Sequence, residues 1–586
     1  MKINRITKQN IALLLFFLSP LFVPYLIVPR VFTAYSISAF LLCLCAVVYS
    51  GKRTEQAAVI PTKPFILFCL LIVSLIVGFI LHPFSSIYGN IEVPMLILTA
   101  FIAFFCTATN RLSIKALQFT YLIASILWVL VALPVWLGWT DGMPLHLGLW
   151  ALTTDPQGKI NGPFTNGNVM AILIAVAWVI SVFYWLKNRH SYLWWLLQTF
   201  FWLFIVVSMS RGAWLAQASI LVWLIIFLIR DKAYKQLAYL FVAGLIAWTA
   251  GSALLSYQQQ NVTYRFGERS AITIQKQLGM AQDRQHARIV LWRSAFEMWK
   301  EHPWLGVGAG RFDAHFLDAQ ATALASMEHP KAGLKTAFNS AHNLLLHLMA
   351  ELGLIGILLW LSITLLLAQN IWRYRYRLLS PQWPALAAAS MLWIQGMFNI
   401  SMTNPFPVLL FALLLGISYA PEVRKNEPQG KHGFSIPKAY LTITAGSLAV
   451  FMFLGAASTA SAWLRFEKWM YMEVTNPIKG SEAVSFIGRD DILPHLIQTS
   501  VNEHYLSGNH AAVGKLQPLI SQALSVHQHP TLLRQLFFSH AIRGEFELAC
   551  TTGRRIEMQY WPNEINTPLY QAACENKLSR TLEIQN

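Results

Sequence analysis

The residues able to do chemistry are few in this chain, and most lie between positions 160 and 360. His342 and Asn343 stand together at the start of a long apolar run. An imidazole titrates near about 6.5 and can take up a proton at neutral pH. A lone histidine in such a place can equally be a hydrogen-bonded packing residue. Within the same run His347 and Glu351 are four apart and can pair. Upstream, Arg288-Ile-Val-Leu-Trp292-Arg-Ser-Ala295-Phe-Glu-Met-Trp299 carries guanidiniums, whose forked donors suit anionic oxygens. Arg211, in Met-Ser-Arg-Gly-Ala-Trp, stands between two apolar runs. Charge at membrane depth is costly and usually has a task, the alternative being a side chain that snorkels to headgroups. Gly306, Gly308 and Gly310 allow tight turns and close backbone approach. As a phosphate cradle the run is a weak signal, because no Lys-Ser/Thr follows. Asn161-Gly-Pro-Phe-Thr-Asn166-Gly-Asn168 offers turn chemistry and amide donors, or simply caps the helix that follows.

These residues need elements to place them. Apolar residues at 289, 292, 296 and 299 have helical spacing and predict an amphipathic helix at the membrane surface. His342 opens the next helix, so Gly353 lies roughly 20° and Gly356 roughly 40° from it around the axis, at about 100° per residue. His342, Gly353 and Gly356 then share one stripe, and the glycines would admit a neighbouring helix. Thirteen apolar runs are long enough to suggest spans, near 11–28, 31–50, 65–82, 92–108, 116–138, 168–186, 192–209, 212–229, 236–255, 342–368, 384–400, 406–420 and 439–460. The pair 384–400 and 406–420 reads either as two spans or as one re-entrant pair. The first run has no small-residue cleavage site and does not read as a cleaved signal peptide.

Composition agrees: 55% of residues are apolar and only 12% charged, about half the charge of an average soluble domain. The chain reads as an all-α polytopic membrane protein embedded in a lipid bilayer. Its net charge of +17 does not imply nucleic acid, since the part from Leu464 onward holds 11 basic and 12 acidic residues. With the amino terminus inside, 20 basic residues fall in inside segments against Arg30, Lys159 and Arg211 in short outside loops. That is the orientation expected from the positive-inside rule. The expected organisation is a nine-span bundle over 1–255, a large outside loop over 256–341, further spans over 342–460 and an outside helical domain over 461–586. Within the last, 531–562 reads as two helices around Gly544, like one tetratricopeptide hairpin. Cys550 and Cys574 lie there and can form a disulfide in an oxidising compartment, or remain two thiols. No CxxC or zinc-ligand spacing appears, and no metal or other cofactor is expected.

The order Ser-Arg-Gly, Arg-xxx-Trp-xx-Ala, Pro-xx-Gly-x-Gly-x-Gly-x-Phe and His-Asn-x9-Gly-xx-Gly resembles the O-antigen ligase superfamily of envelope glycosyltransferases. The likeness covers about 160 to 360, and its most specific piece runs from His342 to Gly356. The Gly162-to-Asn168 stretch departs from the family pattern, with Gly167 where proline is expected. The resemblance implies a C-type glycosyltransferase-like membrane fold. It also implies a glycan donor on an undecaprenyl-diphosphate carrier and transfer to a hydroxyl at the periplasmic face, without a required metal. By the same resemblance His342 would act as general base, and Arg288 and Arg211 would hold the diphosphate. Arg265 and Arg269, Asn343 and Asn168 would assist in binding donor or glycan. An attack opposite the leaving diphosphate would invert the anomeric centre, and no paired carboxylates of the hydrolase kind stand out.

Among family members, an outside helical tail resembles the pilin-glycosylating protein O-oligosaccharyltransferases of the bacterial inner membrane. The expected acceptor is therefore a pilin-like protein. O-antigen polymerase and O-antigen ligase are the alternatives. A multispan transporter is less favoured, because no pair of broken helices faces across the midplane. A non-catalytic scaffold would tolerate loss of Arg211, Arg288 or His342.

Overall fold

The computed structural model describes chiefly residues 5–22, 41–45, 58–81, 93–109, 112–139, 159–188 except 165, 191–261, 281–327, 338, 340–420, 433–436 and 530–560. Short pieces between 145 and 152 and between 443 and 574 complete it. The protein is a polytopic membrane fold, helical among the described residues but for two short ribbons. Among the described residues five helices are long and apolar enough to cross a bilayer: α4 (Ile114–Trp136), α5 (Gly167–Lys187), α7 (Arg211–Arg230), most of α8 (Tyr234–Asn261) and α11 (Leu344–Tyr374). Shorter apolar helices lie within α1 (Arg5–Phe22) and α2 (Thr62–Leu81), in α3 (Val93–Ala108) and α6 (Tyr192–Val207), and in α13 (Pro405–Tyr419). The expected runs at 31–50 and 439–460 fall mainly outside the described residues. The ambiguous pair is a helical hairpin of α12 (Gln382–Gly396) and α13. Each is 15 residues long, hence about 22 Å at 1.5 Å per residue, short of a hydrocarbon core of about 30 Å.

Contacts divide the chain into two units. The first comprises 1–70, 95–281 and 361–454, the second 71–94, 282–360 and 455–586. In the first, α5 is the central post, every residue of its membrane window being buried by neighbours. It packs against α4, α6, α7 and α12. An aromatic cluster closes one end of this bundle. Phe164 packs edge-on to Trp128 at 5.0 Å and lies 5.5 Å from Phe406, which stacks on Phe16 at 5.5 Å. Two buried tyrosines tie helices of the bundle together: Tyr121 donates to the Leu173 carbonyl and Tyr184 to Gln118, both at 2.8 Å. Four short strands form two antiparallel ribbons, β1 (Ala58–Pro61) with β4 (Gly433–Ile436) and β2 (Leu145–His146) with β3 (Ala151–Leu152).

The second unit contains α9 (Ala281–Glu301), α10 (Phe312–Ala325), the first half of α11, and a hairpin of α14 (Pro530–Ile542) and α15 (Phe546–Tyr560). That hairpin occupies the stretch read as tetratricopeptide-like, with Gly544 at φ 75° in its turn. Leu291, Ala295 and Met298 of α9 form a core with Val307, Phe312, Phe316 and Ala350, and Ile556 of α15 packs against it. The helix at 289–299 is therefore present, and of the expected apolar stripe Trp292 packs partly against that core while two residues stay outside it. Ile289 and Phe296 are exposed, whereas the stripe at 291, 295 and 298 is buried. Small residues explain the choice: Ser294 and Ala295, both 0% exposed, let α9 approach its neighbours closely.

Candidate active site

The site in the second unit is built around a break in α11. Residue 353 has φ 60° and ψ −139° inside that helix. In an unbroken helix the amide of Leu354 would donate to the carbonyl of Ala350. Here it donates to Pro303 at 2.8 Å, and the freed carbonyls of Ala350 and Glu351 accept from Val307 at 2.9 Å and Gly308 at 3.0 Å. The glycine run and the His-Asn-x9-Gly-xx-Gly stretch, some forty residues apart, are thus halves of one interlock. Both sides need glycine. A Cβ on Gly306 (φ 68°) would lie 2.3 Å from the Glu351 carbonyl carbon, and one on Gly353 would lie 2.5 Å from that of Trp304.

The side chain of Glu351 completes the clamp. It is 8% exposed, and its carboxylate accepts from the Gly310 amide at 2.9 Å and the Phe312 amide at 3.2 Å. Phe312 is the first residue of α10, so the carboxylate sits where a helix favours negative charge. The amides of 307, 308, 310 and 312 are all occupied within the chain. The glycine run is therefore a structural interlock rather than a phosphate cradle. Arg311 is buried and folds over Gly308, whose added Cβ would lie 2.8 Å from its Cδ. Burial lowers the pKa of Arg311, and the charge of Glu351 opposes that shift. His347 is buried too. Its Nε2 lies 3.7 Å from Glu351 Oε2, the pair expected from their spacing, and its ring is 5.3 Å from that of Phe312.

His342 stands outside the helix, which corrects the shared stripe with Gly353 and Gly356. Its φ is 52°, a left-handed value rare for a residue with a side chain. Its amide donates to Ser340 Oγ at 3.2 Å. Asn343 caps α11, its Oδ1 accepting from Leu346 at 3.2 Å. Gly353 meets the Trp304–Leu305 backbone, and Gly356 meets the Leu348 carbonyl, so no second helix fills that stripe. The imidazole is partly buried, edge-on to Phe338 with centroids 6.0 Å apart. Its pKa is pushed down from 6.5 to about 4, first by burial, then by the charges of Arg288 and His347. The ring is therefore neutral at pH 7, with a lone pair free of a proton.

Other expected residues fall elsewhere. Arg288 lies on α9, partly buried, close enough for its charge to act on His342. Arg211 opens α7 in the first unit, after Met209 with φ 53°. Asn168, in the same unit, accepts from Lys159 Nζ at 3.2 Å, and its carbonyl accepts from Gln395 at 3.0 Å. Asn166 caps α5 by accepting from the Asn168 amide at 2.9 Å. Arg265 and Arg269 lie outside the described residues. Cys550 and Cys574 form a disulfide, with Cα atoms 4.8 Å apart. Sequence reasoning paired Glu351 with His347 but missed its hold on α10, because nothing in the spacing ties position 351 to 310 and 312. It passed over Arg311 entirely.

Residues 196–361 match the profile of the O-antigen ligase family, and every element of the interlock, with Arg211, Arg288 and His342, falls within that span. These residues form an O-antigen ligase domain. The O-antigen ligase family carries out glycan transfer of the ligase and polymerase type, on lipid-linked glycans in the membrane. Asn168 and the tail that bears the disulfide lie outside the matched span. A search of curated proteins finds no match to the chain.

Proposed function

We propose that the protein transfers a preassembled glycan from an undecaprenyl-diphosphate carrier to a serine or threonine hydroxyl of a pilin-like acceptor protein. The observation that carries this reading is a neutral imidazole at the head of a membrane-length helix, within the electrostatic reach of Arg288. The acceptor oxygen attacks the anomeric carbon as its proton passes to His342. The sugar–diphosphate bond breaks, and the carrier diphosphate leaves with the electron pair, inverting the anomeric centre. Arg288 holds the leaving group through forked, charge-assisted hydrogen bonds, and the family resemblance gives Arg211 the same task. Arg265, Arg269, Asn343 and Asn168 assist in binding donor and glycan.

The depressed pKa of His342 has a use in this scheme. An imidazole at about 4 is a weak base. A bound diphosphate offsets the Arg288 charge and raises the basicity of the ring, so base strength appears with the donor. The reaction requires no metal, and a chelator should leave it unchanged.

The proposed setting is the bacterial inner membrane, with the amino terminus cytoplasmic. The loop 256–341 and the domain 461–586 would be periplasmic, joined by the spans of 1–255 and 342–460. The exposed Ile289, Phe296 and Trp304 suit headgroup contact, and the disulfide suits an oxidising compartment. The tail would dock the acceptor protein. The family match lies nearer a second reading, O-antigen polymerase or ligase. Purified protein given lipid-diphosphate-linked glycan separates them by product. A glycan-sized mass gain on a pilin-like acceptor supports protein glycosylation. Lengthened lipid-linked chains, or glycan on lipid A core alone, would replace it.

A further inference from the structure

The position of His342 is held by a line of rings that begins at Glu351. The Glu351 carboxylate fixes the amides of Gly310 and Phe312, and so the start of α10. The Phe312 ring lies between His347, at 5.3 Å, and Phe316, stacked at 6.0 Å. Phe316 meets Phe338 edge-on at 5.7 Å, and Phe338 meets His342 edge-on at 6.0 Å. Phe312 and Phe316 are 1% and 0% exposed, so neither ring can shift without moving its neighbours. The left-handed backbone of His342 has no regular helix to keep it in place. Its ring needs support from outside α11, and Phe338 is the side chain packed against it.

We propose that Glu351 is the positioning residue for His342, acting through the α10 amides and the Phe312–Phe316–Phe338 line. This rests on the reading of His342 as the reaction's base, but the placement itself is a physical claim with its own readouts. A carboxylate is an acceptor on both oxygens, whereas a glutamine would turn an NH2 group toward one of the two amides. Glu351→Gln thus breaks the clamp with almost no change in volume.

The test uses the full-length protein in detergent. Hydrogen exchange of the 307–312 amides reports the clamp. Acylation of His342 by diethyl pyrocarbonate, located by peptide mass, reports the ring's placement. Steady-state transfer reports function. In Glu351→Gln we expect exchange at 307–312 to rise at least tenfold and acylation of His342 to change at least threefold. In transfer, kcat should fall at least tenfold with KM for the lipid-linked donor within twofold, and Glu351→Asp should recover part of each change. Phe316→Leu leaves both carboxylate bonds in place. It should alter acylation while the amides stay protected, and it serves if Glu351→Gln does not fold. Unchanged exchange in Glu351→Gln, or loosened amides with acylation of His342 unchanged, would overturn the proposal. Unchanged acylation in Phe316→Leu would do the same. If the wild-type protein transfers no glycan while exchange and acylation respond as expected, the functional reading fails and the positioning role stands.

Discussion

Gly306→Ala is the substitution whose cost can be worked most directly from the interlock. Its new Cβ would lie 2.3 Å from the Glu351 carbonyl carbon and 2.5 Å from the Ala350 oxygen, against 3.4 Å or more in ordinary contact. Both neighbours are backbone, so the loop must retreat by about an ångström, the difference between those contact distances. That retreat opens the bonds from Val307 to Ala350 and from Gly308 to Glu351, now 2.9 and 3.0 Å. Two buried hydrogen bonds are worth about 2 kcal/mol together, and a left-handed alanine adds about 1–2 kcal/mol. The expected loss is about 3–4 kcal/mol. Gly544 supplies the control, since its φ is 75° but nothing lies within 4 Å of an added Cβ. Gly544→Ala should cost only the backbone term of about 1–2 kcal/mol. Local unfolding energies from hydrogen exchange in detergent, read at 307–308 and at 545–549, measure the two sites separately. Equal losses would refute the close approach as the reason for glycine at 306.

Further outcomes follow from charge and packing. The drop in the pKa of His342 from 6.5 to about 4 has burial as its largest cause and Arg288 as its second, so Arg288 accounts for no more than half. In Arg288→Gln the acid limb of kcat/KM in the proposed transfer should move up, to no higher than about 5. A limb that stays put would remove Arg288 from the neighbourhood of the base. Because the folded value is depressed, the stability tied to His342 is complete above pH 6.5 and is lost as pH falls toward 4. It amounts to about 3 kcal/mol, so His342→Gln should flatten acid unfolding over that window. In the tail, Ile556 packs on the α9–α10 core and Arg555 Nη2 lies 3.3 Å from Asp318. Ile556→Asp should raise hydrogen exchange in α10 as well as in α15, whereas Arg555→Ala, at an exposed pair, should cost under about 1 kcal/mol. Exchange in α10 unmoved by Ile556→Asp would detach the tail from that core.

The long helices were legible because their apolar runs are long and nearly free of charge, and α4, α5, α7, α8 and α11 lie where those runs do. The hairpin at 531–562 was legible from its break at Gly544. Local periodicity was incomplete at one place and misled at another. On α9 the helix and its exposed apolar residues were legible, but spacing did not reveal that a second face at 291, 295 and 298 packs against protein. At His342 a regular helix was carried back two residues too far and straight through Gly353, whose left-handed φ breaks it. The residue types of the site were readable, but its assembly was not. The bonds that join 303–312 to 350–354 are long-range backbone pairings, and only the glycines hint that two chain segments touch.

The central claim is that His342 takes the acceptor's proton in glycan transfer to protein. It is tested by incubating wild-type and His342→Ala protein with a lipid-diphosphate-linked glycan and a pilin-like acceptor, with chelator present, and weighing the intact acceptor. A gain of one glycan mass is expected with the wild type and none with His342→Ala, at matched thermal unfolding. A His342→Ala protein that glycosylates the acceptor at the wild-type rate would contradict it.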